Sequence, residues 1–101
     1  MAEPGSALES LERIAFGDVW QRPGLTMRER RLVTLACLGL NGSERTIGLH
    51  LHGALASGDL SPADLDAFLL QFAIYAGFPR ASFVASAVEQ VLADVRSEDA
   101  G

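Results

Sequence analysis

A chain of 101 residues is long enough for one hydrophobic core and too short for two, so a single domain over residues 1–101 is expected. With 13 acidic residues against 8 basic ones its formal net charge is -5, which excludes the cationic face that nonspecific nucleic-acid binding requires. All 8 basic residues are arginine, which excludes a lysine Schiff base, and the single cysteine excludes an internal disulfide or a paired-cysteine redox centre.

Helix signals follow one another along the chain. Ser6 and Glu9 have capping-box spacing and open a first helix that reaches about Ala15. The segment from Phe16 to Leu25, FGDVWQRPGL, is punctuated by Pro23-Gly24 and reads as a loop. Two readings of it stand side by side. Trp20 plugs the core while Arg22 pairs with a carboxylate such as Asp18, or Arg22 offers a fork of donors to a substrate carboxylate with Trp20 as an apolar wall.

Thr26 and Glu29 repeat the capping spacing for a second helix that ends near Asn41-Gly42. Arg28, Arg30 and Arg31 crowd its positive end, so at least one is expected to have a specific acidic partner, with solvent or another subunit accounting for the other two. Cys37, within Leu35-Ala36-Cys37-Leu38, is expected to be inert core packing. Ser43 caps a third helix that runs to Ser57 and stops at Gly58. His50 and His52 on that helix point about 200° apart, so they are not a same-face metal pair, and no metal site is expected.

Ser61-Pro62-Ala63-Asp64 opens a fourth helix, and Gly77-Phe78-Pro79 ends it. This helix carries Leu65, Phe68, Leu69, Leu70, Phe72, Ala73, Ile74 and Tyr75, which are apolar around most of its circumference, so burial on several sides by a second subunit is expected. A last helix covers Ala81 to Val95 and is followed by a polar, frayed tail over residues 97–101. No segment alternates like a strand, and the expected class is all-α. Met1-Ala2-Glu3-Pro4-Gly5 has neither a basic leader nor an apolar run, and the chain has no stretch long enough to span a bilayer. A cytoplasmic protein without a membrane partner is expected.

Three parts of the chain form a recognisable set: Phe16-Gly17 with Trp20, Arg22, Pro23, Gly24 and Leu25; Leu49-His50-Leu51 with Ala54 and Gly58; and Tyr75 with Gly77 and Pro79. Together they resemble the carboxymuconolactone decarboxylase family, from about Phe16 to about Pro79. The resemblance implies an all-helical fold of the alkylhydroperoxidase-D-like type, assembled into a ring, commonly a hexamer and alternatively a trimer. It also implies a cofactor-independent decarboxylase of aromatic catabolism. The implied substrate is a butenolide whose carboxylate sits on the carbon vinylogous to the lactone carbonyl, so the substrate is its own electron sink. On that basis His50 is expected to protonate the ring carbon and Arg22 to anchor a carboxylate, with Trp20 as the wall and Tyr75 and Arg30 in support.

The related thiol peroxidases carry two cysteines where this chain has Ser43 and Thr46, which excludes their chemistry. The decarboxylase pattern places an acidic residue one turn before the histidine, where Thr46 stands here, so Thr46 is expected to face the substrate and His50 to titrate low. Other readings of the same fold are a tailoring decarboxylase or isomerase of secondary metabolism and a noncatalytic oligomeric binding protein.

Overall fold

The computed structural model describes residues 3–100, which form five helices and one short 3-10 turn. In chain order these are α1 (Ala7–Gly17), the turn Val19–Gln21, α2 (Met27–Asn41), α3 (Glu44–Ser57), α4 (Pro62–Ala76) and α5 (Phe78–Ala100). Met1 and Ala2 of the N-terminal segment, and Gly101 of the tail, lie outside the described residues. There is no strand among the described residues, and the fold is all-α. No helix among them is long and apolar enough to cross a membrane.

Side-chain caps set four of the helix starts. The Thr26 hydroxyl accepts from the Glu29 amide at 3.1 Å while the Glu29 carboxylate accepts from the Thr26 amide at 2.7 Å, a complete capping box that also holds the Glu29 carboxyl below its ordinary range. Ser61 and Asp64 form a second complete box on α4, with Pro62 where no amide donor is needed. Ser43 caps α3 through the Thr46 amide. At α1 only half of the expected box forms: Ser6 accepts from the Glu9 amide, but the Glu9 carboxylate pairs with Arg13 one turn on, at 2.7 Å. Gly58 ends α3 with φ +80°, a left-handed conformation that is cheap for glycine.

The core is built by α2 to α5. Leu35, Ile47, Leu51, Leu60, Leu65 and Val84 are fully buried, and Phe68, Phe72, Val88 and Val91 close around them. α1 contributes no buried residue and packs chiefly on the 3-10 turn, leaving Leu8, Leu11 and Ile14 exposed. α2 comes close to α4 and α5 at Gly39. A Cβ there would lie 2.7 Å from the Phe72 ring and 3.1 Å from a Val84 methyl. At the same level the Arg80 side chain, from the first turn of α5, donates through Nε to the Gly39 carbonyl at 2.7 Å. One of the orphan carbonyls at the end of α2 is thereby satisfied and meets a positive charge.

Three expectations need correction, for Cys37 and for both ends of the last helix. Cys37 is exposed rather than core: the buried residues of α2 are Leu35 and Gly39, and a side chain two positions from each points about 200° away. The last helix begins at Phe78, not Ala81, because Gly77 at φ +93° turns the chain so sharply that Pro79 falls in the first turn of α5, where a missing amide costs nothing. It also runs on to Ala100 instead of fraying, and Glu98 in its last turn meets His52 of α3 at 2.8 Å. The broad apolar character of α4 resolves into two faces. Leu65, Phe68 and Phe72 are buried, whereas Leu70, Ile74 and Tyr75 are 71%, 71% and 83% exposed.

Gly39→Ala should destabilise the fold by about 1–3 kcal/mol, because the added methyl would lie 2.7 Å from the Phe72 ring and 3.1 Å from a Val84 methyl, so ring or helix must shift. Urea denaturation of the variant beside the parent checks this, and an unchanged midpoint would show that α2 is able to shift away from α4.

Candidate active site

α3 carries His50 on the side that faces α1 and the turn. The His50 ring lies 6.4 Å from the Phe16 ring and 6.5 Å from the Trp20 ring between centroids, with interplanar angles of 29° and 28°. Phe16 and Trp20 are themselves 5.9 Å apart. The segment FGDVW makes this possible by ending α1 and entering the 3-10 turn with both aromatic side chains on one side. The imidazole is half-buried beside two aromatic rings, without a hydrogen-bond partner among the described residues.

A cation completes the cluster. The Arg31 guanidinium lies over the Trp20 ring, 5.3 Å from its centroid, and donates through Nε to Asp59 at 3.1 Å. It reaches there because α3 has no side chain at Gly53, where a Cβ would sit 3.0 Å from Arg31 Nη1. The pair is largely shielded, with side-chain exposures of 19% for Arg31 and 23% for Asp59. Burial first, and then the Arg31 charge, hold His50 below its ordinary value of 6.5. The neutral imidazole is therefore the resting form at neutral pH.

The residues picked out from the sequence divide into two groups. His50 and Trp20 come together, with Arg30 and Arg22 just behind: Arg30 donates to the Arg22 carbonyl at 2.6 Å and so fastens the end of the turn. The Arg30 Nε is buried and has no partner among the described residues. Arg22 itself grips Asp18 in a two-pronged pair of 2.8 and 3.1 Å, which lowers the Asp18 pKa. The pairing reading of Arg22 thus describes the free chain. Thr46, one turn before His50, has its hydroxyl engaged with the capping Ser43 at 2.8 Å.

Tyr75 is elsewhere. It lines a cavity of about 560 Å³ between α2 and α4 with Leu32, Val33, Leu40 and Phe72, closed at one end by Arg28 and Asp64. That ion pair is bidentate, at 2.6 and 3.0 Å, and drives the Asp64 carboxyl far below its usual range. Two of the three arginines at the start of α2 therefore have acidic partners within the chain, one more than the sequence required. A second groove, about 650 Å³, runs between α3 and α5 past His52. Sequence reading missed Phe16 and Arg31 as neighbours of His50; the motif spacing held the first signal, but nothing short of the helix crossing reveals the second. No three His, Cys, Asp or Glu side chains among the described residues converge as a metal site would require.

The fold and this cluster define a small helical protein whose one buried-edge histidine faces aromatic rings and a guanidinium. The chain matches the carboxymuconolactone decarboxylase family over residues 6–90, and it belongs to that family. It is 34% identical over 85 residues to the 4-carboxymuconolactone decarboxylase of Acinetobacter baylyi, covering 84% of this chain and 63% of that protein. It is 36% identical over 76 residues to the nitrosuccinic acid decarboxylase of Metarhizium robertsii, covering 75% of this chain and 51% of that one. The chain thus spans between about half and two thirds of the length of these curated relatives. No solved structure gives a significant match.

In an NMR titration the His50 ring signal, assigned through His50→Gln, should have its midpoint below 6.5. Arg31→Gln should raise that midpoint, because it removes a repelling charge, while burial remains. A midpoint unmoved by Arg31→Gln would place the guanidinium too far away to act on the ring.

Proposed function

We propose that this chain is a cofactor-independent carboxy-lyase acting on a carboxylated lactone of the 4-carboxymuconolactone type, working in aromatic catabolism in the cytoplasm. The observation that carries this reading is the His50, Trp20, Phe16 and Arg31 cluster in a chain of this family. The name of the Acinetobacter baylyi relative supplies the substrate class.

The chemistry asks little of the protein. As the bond from the ring carbon to the carboxylate breaks, CO2 leaves and the electron pair moves through the ring alkene into the lactone oxygen as a dienolate. His50, in its protonated form, then delivers a proton to the ring carbon, the lactone carbonyl re-forms, and the imidazole recovers its proton from water. Trp20 and Phe16 form the apolar wall against which the carboxylate loses hydration. Arg30 keeps the turn in place. Arg22 meets a substrate carboxylate only by exchanging it for Asp18. Thr46 serves as a substrate contact on this reading through the hydroxyl it now shares with Ser43, whereas Tyr75, in the groove between α2 and α4, reaches a substrate at His50 only from a neighbouring subunit.

The same proposal includes a homo-oligomer, a hexamer or trimer. Leu70, Ile74 and Tyr75 of α4, with Leu8, Leu11 and Ile14 of α1, leave more apolar surface exposed than a lone domain of this size ordinarily carries. Light scattering at micromolar concentration should give a multiple of the 10.7 kDa chain mass, and a stable monomer would refute it.

Purified protein supplied with 4-carboxymuconolactone should release CO2, and His50→Gln should slow turnover by roughly 100-fold or more while leaving the helical signal intact. His52→Gln serves as the control for loss of an imidazole. Because the acid form of His50 is required, kcat/KM should fall as pH rises through the His50 pKa, with a midpoint below 6.5. A flat profile across that range, or no CO2 from any carboxylated lactone, would overturn the reading.

A further inference from the structure

We propose that Arg31 is the residue that receives the substrate's carboxylate, through the two terminal nitrogens that its own ion pair leaves open; this rests on the decarboxylase reading for the identity of the anion. Three observations on different elements carry it. The first is the division of labour within the guanidinium: Asp59 takes Nε at 3.1 Å, whereas Nη1 and Nη2 have no hydrogen-bond partner among the described residues. A guanidinium held at Nε presents its other edge as a fixed two-donor fork, the geometry that suits a carboxylate.

The second observation is placement. Arg31 lies over the indole of Trp20, which in turn stacks beside His50, so the guanidinium, the apolar wall and the acid belong to one cluster, with the Nη1 and Nη2 edge alongside Gly53 of α3. The indole face supports the guanidinium from one side and Asp59 fixes its rotation. The third is the space made for it. Gly53 has no Cβ where Nη1 passes, 3.0 Å from the position such an atom would take, so a side chain there would push this guanidinium aside.

Arg22 differs on each count. Both of its contacts with Asp18 use the fork, at Nε and Nη2, and its side chain is 65% exposed against 19% for Arg31. An anion at Arg22 competes with a carboxylate already bound and with water. An anion at Arg31 meets a positioned, mostly desolvated donor pair, which is the setting in which such bonds are strong. Arg28 is closed in the same way as Arg22, with its fork on Asp64. Arg30 spends Nη2 on the Arg22 carbonyl at 2.6 Å and its Nε is buried, so it offers no open pair of terminal donors. Among the arginines that open α2, the geometry points to Arg31 as the anion receptor near His50.

Trp20 is the only tryptophan, so its emission reports this position without a label. Succinate, a dicarboxylate without the lactone ring, is the probe. In the wild-type oligomer, succinate should change Trp20 emission saturably in the millimolar range, beyond the change given by sodium chloride at equal ionic strength. Arg31→Gln should weaken that binding tenfold or more, and Arg31→Lys, which keeps the charge and the packing of the stem but loses the fork, should weaken it by a smaller factor. Arg96→Gln is the control for net charge. Circular dichroism shows which variants are folded, and the lysine variant keeps the test open if the glutamine variant is not.

In turnover, Arg31→Lys should raise KM with a smaller change in kcat, the split expected of a group that binds the anion in ground and transition states alike. A succinate response no larger than that of salt, or a folded Arg31 variant that binds like the parent, would overturn the assignment. Binding through Arg31 without CO2 release from any lactone keeps the receptor and removes the decarboxylase. CO2 release with an unchanged KM in Arg31→Lys does the reverse.

Discussion

α2 touches its neighbours at two places where a glycine removes the side chain between them, and the rest of the molecule is organised around those contacts. At its own Gly39 the contact is dry: the Phe72 ring and a Val84 methyl occupy the space of a Cβ. At Gly53 of α3 the contact is polar, and the Arg31 guanidinium fills the space instead. The dry contact fixes how near α2 lies to α4 and α5, and Arg80 bonds the Gly39 carbonyl there so that no buried acceptor is left open. The polar contact fixes where Arg31 emerges beside His50. Because helix interiors are rigid on the scale of an ångström, an error in the first contact carries along α2 to the second.

A chain whose only cations are arginines uses them largely as structural ties. Arg28 joins α2 to α4 through Asp64, Arg31 joins α2 to the link after α3 through Asp59, and Arg80 joins α5 to the end of α2. Exposed pairs of this kind contribute little to stability in water, so their main effect here is on register and direction. The shielded Arg31 pair is the exception. It gives up hydration for a fixed orientation, which is a fair exchange only where orientation has a use.

Helix starts were legible in the sequence because capping is local chemistry: Thr26 with Glu29 and Ser61 with Asp64 close the boxes that their spacing announces. Where a local rule failed, a neighbour had intervened. Glu9 preferred Arg13 to the cap, and Pro79 was absorbed into a helix start because Gly77 had already turned the chain. Cys37 illustrates a different limit. Its apolar sequence neighbours say that α2 is partly buried, but only the angular position of Leu35 and Gly39 says on which side. At the candidate site, His50 and Trp20 were readable as a set, whereas Arg31 was one of three similar arginines until the crossing of α2 with α3 separated it from Arg28 and Arg30. Tyr75, on α4, lines the groove against α2 instead.

α1 has no buried residue, and its main packing partner is the turn that carries Trp20. One wall around His50 therefore hangs on the element with the least holding it to the core. Segments of that kind open at a free-energy cost well below that of global unfolding. Order in α1 and the position of the aromatic wall are consequently linked: whatever binds against Phe16 and Trp20 stabilises the docked helix, and whatever undocks the helix releases the rings that stack on His50.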